Sequence, residues 1–151
     1  MGNLNIEIER KFLVKSDQFK SEAYEKNRIK QGYLSKDPER TVRIRVKENQ
    51  GLITIKGASS ADGKERLEWE KSIPLHDAKA LMEMCLPDPL DKTRYLVDVQ
   101  GFIFEVDEFH GKHQGLVVAE IELQNTDQNF PKPEWLGEEV TGNPAYYNAQ
   151  L

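Results

Sequence analysis

Apolar and polar residues alternate with a period of two along most of this chain, the pattern of β-strands whose two faces differ. Segments of this kind run over Leu4–Val14, Arg28–Ser35, Arg40–Glu48, Leu52–Lys56, Lys64–Ile73, Asp91–Val99, Phe102–Phe109 and Leu116–Leu123. Turn-forming breaks fall at Asp37-Pro38, Asn49-Gln50-Gly51, Asp62-Gly63, Gln100-Gly101 and Gly111,. Most are too short for a parallel crossover, so neighbouring strands are expected to pair antiparallel. Two segments predict helices. Ser16–Lys26 opens on an N-cap candidate, and Leu75–Leu86 carries a stripe of Leu75, Ala78, Leu81, Met82 and Cys85 that stops before Pro87 and Pro89,. The tail Pro131–Leu151 predicts turns and a short helix anchored by Trp135 and Leu136. With no repeat and no linker, residues 1–151 read as a single, mainly β (α+β) domain,.

The two faces of these strands are unusually unlike. One carries Ile6, Ile8 and Phe12; Val42, Ile44 and Val46; Ile53 and Ile55; Leu67 and Trp69; Phe102, Phe104 and Val106; Ala119, Ile121 and Leu123. The other carries like charges two residues apart: Glu7 and Glu9 followed by Lys11, Arg43 and Arg45, Glu68 and Glu70, Lys92 and Arg94, Glu105 and Asp107, Glu120 and Glu122, with Lys56 ending the fourth strand. A single strand of this kind is normally a solvated sheet face. Across six strands that reading weakens, because like charges side by side repel and a solvated sheet gains more from interleaved signs. Eight antiparallel strands can close into a barrel that holds one small ligand. With the charged face inward, acidic and basic walls would oppose each other in the lumen. The apolar face then turns outward, to be covered by the helices, the tail or a second copy in a homodimer.

The formal net charge of −5 opposes broad nucleic-acid binding, so positive charge has to be concentrated locally to hold an anion,. No apolar run is long enough to cross a bilayer, and a lone cysteine, Cys85, suits a reducing cytoplasm,. Strand-borne Glu-x-Glu pairs at Glu7/Glu9 and Glu120/Glu122 suit hard cations such as Mg²⁺ or Mn²⁺, and Asp107 joins them as a candidate ligand,. His76, His110 and His113 have no metal-ligand spacing, which argues against zinc,. Lys11, Arg43, Arg45, Lys56, Lys92 and Arg94 are candidates to hold phosphate oxygens, the arginines bidentately,. Glu68 and Glu70 are both candidates for the general base, and Lys11 is a further catalytic candidate,. Phosphoryl transfer needs mainly positioning and charge neutralisation, and these residue types supply both. No P-loop, dinucleotide glycine pattern or nucleophile elbow offers a rival chemistry,.

Glu7-Ile8-Glu9-Arg10-Lys11-Phe12 resembles the Glu-x-Glu-x-Lys motif of the CYTH superfamily, the triphosphate tunnel metalloenzymes. The resemblance continues in order through Gln31–Leu34, Thr41–Arg45, Thr54–Gly57, Arg66–Glu70, Lys92–Tyr95, Glu105–Phe109, Ala119–Leu123 and Trp135–Thr141. It implies an eight-stranded antiparallel tunnel with Glu7, Glu9, Glu120 and Glu122 at the metal sites. It also implies that Lys11, Arg43, Arg45, Lys56 and Arg94 hold the triphosphate. The short form, without an appended domain, is similar to the family's bacterial tripolyphosphatases. That implies hydrolysis of inorganic tripolyphosphate, with conversion of ATP to cyclic AMP or a non-catalytic polyphosphate-binding module as the alternatives. One departure lies in the tail, where Ala145 stands at a position at which relatives often carry Arg.

Overall fold

The computed structural model describes residues 3–151. Nine strands form one antiparallel sheet: β1 (Asn3–Val14), β2 (Glu25–Asp37), β3 (Arg40–Lys47), β4 (Gln50–Ser59), β5 (Glu65–Ile73), β6 (Leu90–Val99), β7 (Phe102–Phe109), β8 (Val117–Glu122) and β9 (Leu136–Glu139). Their order is β5-β4-β3-β2-β6-β7-β8-β1-β9, and β1 also pairs with β5, which closes the first eight strands into a barrel. Twelve-residue β1 is the closing strand because it is long enough to serve several partners. Its first half pairs with β5, from Asn3↔Glu70 to Ile8↔Glu65. Its second half pairs with β8, from Glu9↔Glu122 to Leu13↔Val118, while β9 meets it at Phe12 and Val14.

The barrel is inverted relative to a soluble core: charge lies inside and much of the apolar packing outside. Outward-facing Phe12, Phe104, Val106, Ala119 and Ile121 form the main core with Phe19, Trp135 and Leu136 laid over them. Trp135 sits edge-on to Phe104 and Phe19, so the expected tail anchors are in place,. The second helix, α2 (Leu75–Glu83), covers β3 and β4, and its Ala78 rests on Gly51. The rest of the outer wall is bare: Leu4, Ile6, Ile55 and Leu67 are all exposed.

The structure corrects two local expectations. The helix predicted over 16–26 is a single turn, α1 (Phe19–Glu22). Ala23 is already extended, and the Tyr24 amide donates to the Leu96 carbonyl. Pairing with β6 thus draws Glu25 and Lys26 into β2, overriding helical propensity,. The tail, expected to hold only turns and a short helix, contributes the ninth strand and two 3₁₀ turns, Pro144–Tyr146 and Asn148–Gln150.

The tail is fastened where the β4–β5 loop meets it. Gly63 and Gly142 both have φ near +77°, at 76° and 77°, and a side chain on either would strike the other's neighbourhood. Gly142→Ala is therefore expected to destabilise the fold by about 1–3 kcal/mol, read as a lowered urea midpoint with an unchanged slope.

Candidate active site in the barrel lumen

Strand parity decides what enters the lumen. Glu7, Glu9 and Lys11 from β1, Arg43 and Arg45 from β3, Lys56 from β4, Glu68 and Glu70 from β5, Lys92 and Arg94 from β6, Glu105 from β7, and Glu120 and Glu122 from β8 all line one cavity of about 240 Å³. Lys64 and Arg66 join them, so eight basic side chains face seven carboxylates in a chain whose net charge is −5. Positive charge is thus concentrated in the lumen, where an anion could use it.

Each wall has its own internal pairing. Lys56 Nζ lies 2.8 Å from Glu7 Oε1 and 3.5 Å from Glu68 Oε2. Lys11 Nζ lies 3.2 Å from Glu120 Oε1. Burial pushes the Glu9 carboxyl well above the usual range, and Glu120 and Glu7 push it the same way. Burial, with Glu7 and Glu105 nearby, also raises Glu122. Among the described residues Glu9 and Glu122 form no ion pair of their own, and all-oxygen donors in a polar cavity suit a hard divalent cation,. Glu7, Glu9, Glu120 and Glu122 are the residues that could hold it. Among the described residues no three metal-binding side chains already converge on one point; Lys56 pairs with Glu7 and Lys11 with Glu120.

The basic wall has the opposite deficit. Among the described residues, none offers a hydrogen-bond acceptor to the buried Arg43 Nε. Its Nη2 donates to Thr54 Oγ1 at 3.1 Å, and that hydroxyl donates to Glu70 Oε2 at 2.7 Å. Among the described residues Arg45 donates only to the neutral Gln31 Oε1, at 2.9 and 3.2 Å. Burial beside Arg43 and Arg94 brings the Arg45 guanidinium down to about 9. Among the described residues Arg45 thus has no carboxylate within ion-pair distance, and Arg43 meets only the Glu70 carboxylate, at 3.7 Å.

Two sequence candidates are placed differently from their neighbours. Asp107 is on the inward face but is buried under its partners: Arg94 meets it with Nε and Nη2 at 2.7 and 2.8 Å, and Lys92 Nζ at 2.7 Å. Burial would raise this carboxyl, yet Arg94 and Lys92 hold it well below the usual carboxylate range. Asp107 does not line the cavity. Glu68 is separated from Glu70 by environment. Burial, then the neighbouring Glu7, raises the Glu68 carboxyl to about 7, whereas Glu70 is tied to Thr54 and Arg43.

The sequence reading missed Lys64, Arg66, Tyr147 and Asn148, which also line the lumen. Arg66 was within reach, since it shares strand parity with Glu68 and Glu70,. The tail residues follow no period, and nothing local announces them. Ala145, the departure noted above, is exposed and stands outside the cavity lining. The three histidines also stand outside it.

Comparison with known proteins agrees with this architecture. The CYTH domain family model matches residues 5–147. The chain belongs to the CYTH family. A relative from Acetivibrio thermocellus, named inorganic triphosphatase, is 44% identical over 146 residues, covering 96% of this chain and 92% of the relative. Another protein of that name, from Nitrosomonas europaea, is 34% identical over 148 residues, covering 96% of this chain and 95% of its own length. The crystal structure of the inorganic triphosphatase NE1496 superposes with a TM-score of 0.67 at 30% identity, covering 95% of this CYTH chain and 94% of that one. The barrel is therefore the fold of a CYTH domain.

Proposed function

We infer that this CYTH protein hydrolyses a phosphoanhydride bond of a triphosphate chain, with inorganic tripolyphosphate as its first substrate and pyrophosphate and phosphate as products. The carrying observation is the basic wall, where among the described residues Arg43 Nε has no acceptor and Arg45 donates only to a neutral amide. A polyanion would meet both needs, and Lys11, Lys56 and Arg94 stand beside it to neutralise the remaining oxygens,. The two close relatives named inorganic triphosphatase support the same reading.

We assign Glu7, Glu9, Glu120 and Glu122 to a Mg²⁺ or Mn²⁺ ion. When bound, the cation supplies Lewis-acid polarisation of phosphate oxygens and lowers the pKa of bound water. Glu68, balanced at about 7, takes the proton from the water whose oxygen bonds to phosphorus as the anhydride P–O bond breaks,. Lys56, 3.5 Å from Glu68, neutralises the departing phosphate oxygen,. Glu70 acts as a positioning residue, fixing Arg43 through Thr54. Asp107 is better employed in holding Arg94 and Lys92 than in binding metal.

Among the described residues no helix is long and apolar enough to cross a membrane. The single free thiol suits the cytoplasm, which is the compartment we propose,. The bare strip of Leu4, Ile6, Ile55 and Leu67 is where the homodimer contact would fall,.

The test is phosphate release from tripolyphosphate, ATP and thiamine triphosphate with Mg²⁺ or Mn²⁺, with cyclic AMP assayed in parallel. Fast release from tripolyphosphate, abolished by a chelator, is the expected result. Cyclic AMP from ATP would move the assignment to a cyclase, and tight tripolyphosphate binding without turnover would leave only a binding module.

A further inference from the structure

One end of the barrel lumen is not open. Leu90 shares its face with Lys92 and Arg94, Phe109 with Asp107, and Val118 with Glu120 and Glu122, so the strands that carry the charges turn apolar at that end. These three and Tyr33 form a buried cluster inside the barrel, and Ala149 and Leu151 of the tail pack into it. The residues just before them reach the charged zone. Asn148 Oδ1 accepts from Lys92 Nζ at 2.7 Å and from Gln31 Nε2 at 3.0 Å. The Tyr146 carbonyl accepts from Lys11 Nζ at 3.0 Å, and that ammonium stands 5.7 Å from the centre of the Tyr147 ring. The tail is thus built into the lumen by polar bonds to the cations and by apolar packing behind them.

We propose that Tyr147 and Asn148 form a stop that fixes how far a phosphate chain enters, so that the bond cut is counted from the chain's free end. This rests on the triphosphatase reading above. A blind lumen does not limit chain length, because excess phosphates protrude from the open end. It sets register instead: the terminal phosphate rests against the tail, and one anhydride bond lies opposite the carboxylate wall. Each cut consumes one water, leaving one new phosphate end on either fragment. Tyr147 and Asn148 are positioning residues in this account.

Tripolyphosphate cannot report register, since cutting either of its bonds gives the same products. Inorganic tetrapolyphosphate can, since an outer cut gives phosphate and tripolyphosphate while the central cut gives two pyrophosphates. Phosphorus NMR at low conversion with Mg²⁺ is expected to find one product pair at least tenfold in excess for the wild type. Tyr147→Ala/Asn148→Gly deepens the lumen and is expected to shift that ratio tenfold or more, while Tyr147→Phe keeps the wild-type ratio. If the double variant loses its β-sheet circular dichroism, Tyr147→Ala alone gives the same readout. A wild type that makes both pairs equally, or leaves tetrapolyphosphate uncut while cleaving tripolyphosphate, overturns the stop and leaves the triphosphatase reading intact. An unchanged ratio in the folded, opened variant also overturns it. No turnover of tripolyphosphate by the wild type overturns both.

Discussion

Glu9→Gln is expected to lower divalent-metal-dependent phosphate release by about 10²-fold or more, while the metal-free protein becomes more stable than the wild type above neutral pH. The first half follows from removing an anionic ligand candidate, when loss of mere outer-shell support typically costs 10–100-fold. The second half follows from the carboxyl's surroundings. Glu9 is raised by burial and by Glu120 and Glu7, so its ionised form is disfavoured in the folded state. A carboxyl whose folded pKa lies above its unfolded value contributes stability at low pH and loses it as pH rises through the folded pKa. The amide carries no charge to lose. Thermal melts of metal-free protein should therefore place Glu9→Gln above the wild type at pH 8, with the gap closing as pH falls and Glu9 takes up its proton. Added Mg²⁺ or Mn²⁺ should raise the wild-type Tm and raise the variant's less. Retained full turnover in Glu9→Gln would remove this residue from the metal set.

Charge segregated by strand parity is a global signal, repeated on β1, β3, β5, β6, β7 and β8, and it placed nearly every charged lumen residue. Parity says which way a side chain faces, not what it meets there. That is why Asp107 was legible as inward and acidic, yet its three short bonds to Arg94 and Lys92 were not. Glu68 and Glu70 were likewise equivalent in the sequence. Only the cross-strand neighbours, Glu7 and Lys56 for one and Thr54 for the other, distinguish them. The failures lie where tertiary contacts replace periodicity. Lys26 became strand because Tyr95 lies opposite it on β6. Leu136–Glu139 became strand because β1 had an edge left over beyond β5. The lumen end is lined by the aperiodic tail, which meets Lys92 through Asn148 and Lys11 through the Tyr146 carbonyl, while Gly142 abuts Gly63 of the distant β4–β5 loop.

Asp107→Asn separates a structural role from a ligand role for this carboxylate, and we expect the structural outcome. Its side chain is 3% exposed, against 1% for Lys92 and 10% for Arg94, so the triad is effectively out of water. Removing one member of a buried ion pair leaves its partner uncompensated and typically costs about 3–5 kcal/mol. Here two cations lose their shared anion while Arg45 stands nearby with no carboxylate of its own among the described residues. For a chain of this length about 1 kcal/mol moves Tm by about 2–4 °C, so a fall of roughly 6–20 °C is expected without any metal present. The deficit should also depend on pH. Burial, with Arg94 and Arg45 nearby, already lowers the Lys92 ammonium to about 7, and Asp107, ahead of Glu120, opposes this. Without it Lys92 is neutral at lower pH. A lysine whose folded pKa lies below its unfolded value destabilises the fold when protonated, and this penalty fades as pH rises. The Tm difference between Asp107→Asn and the wild type should therefore shrink from pH 6 to pH 9. A ligand role would give the reverse pattern: metal-free melts like those of the wild type, and loss of only the Tm increase that Mg²⁺ or Mn²⁺ confers.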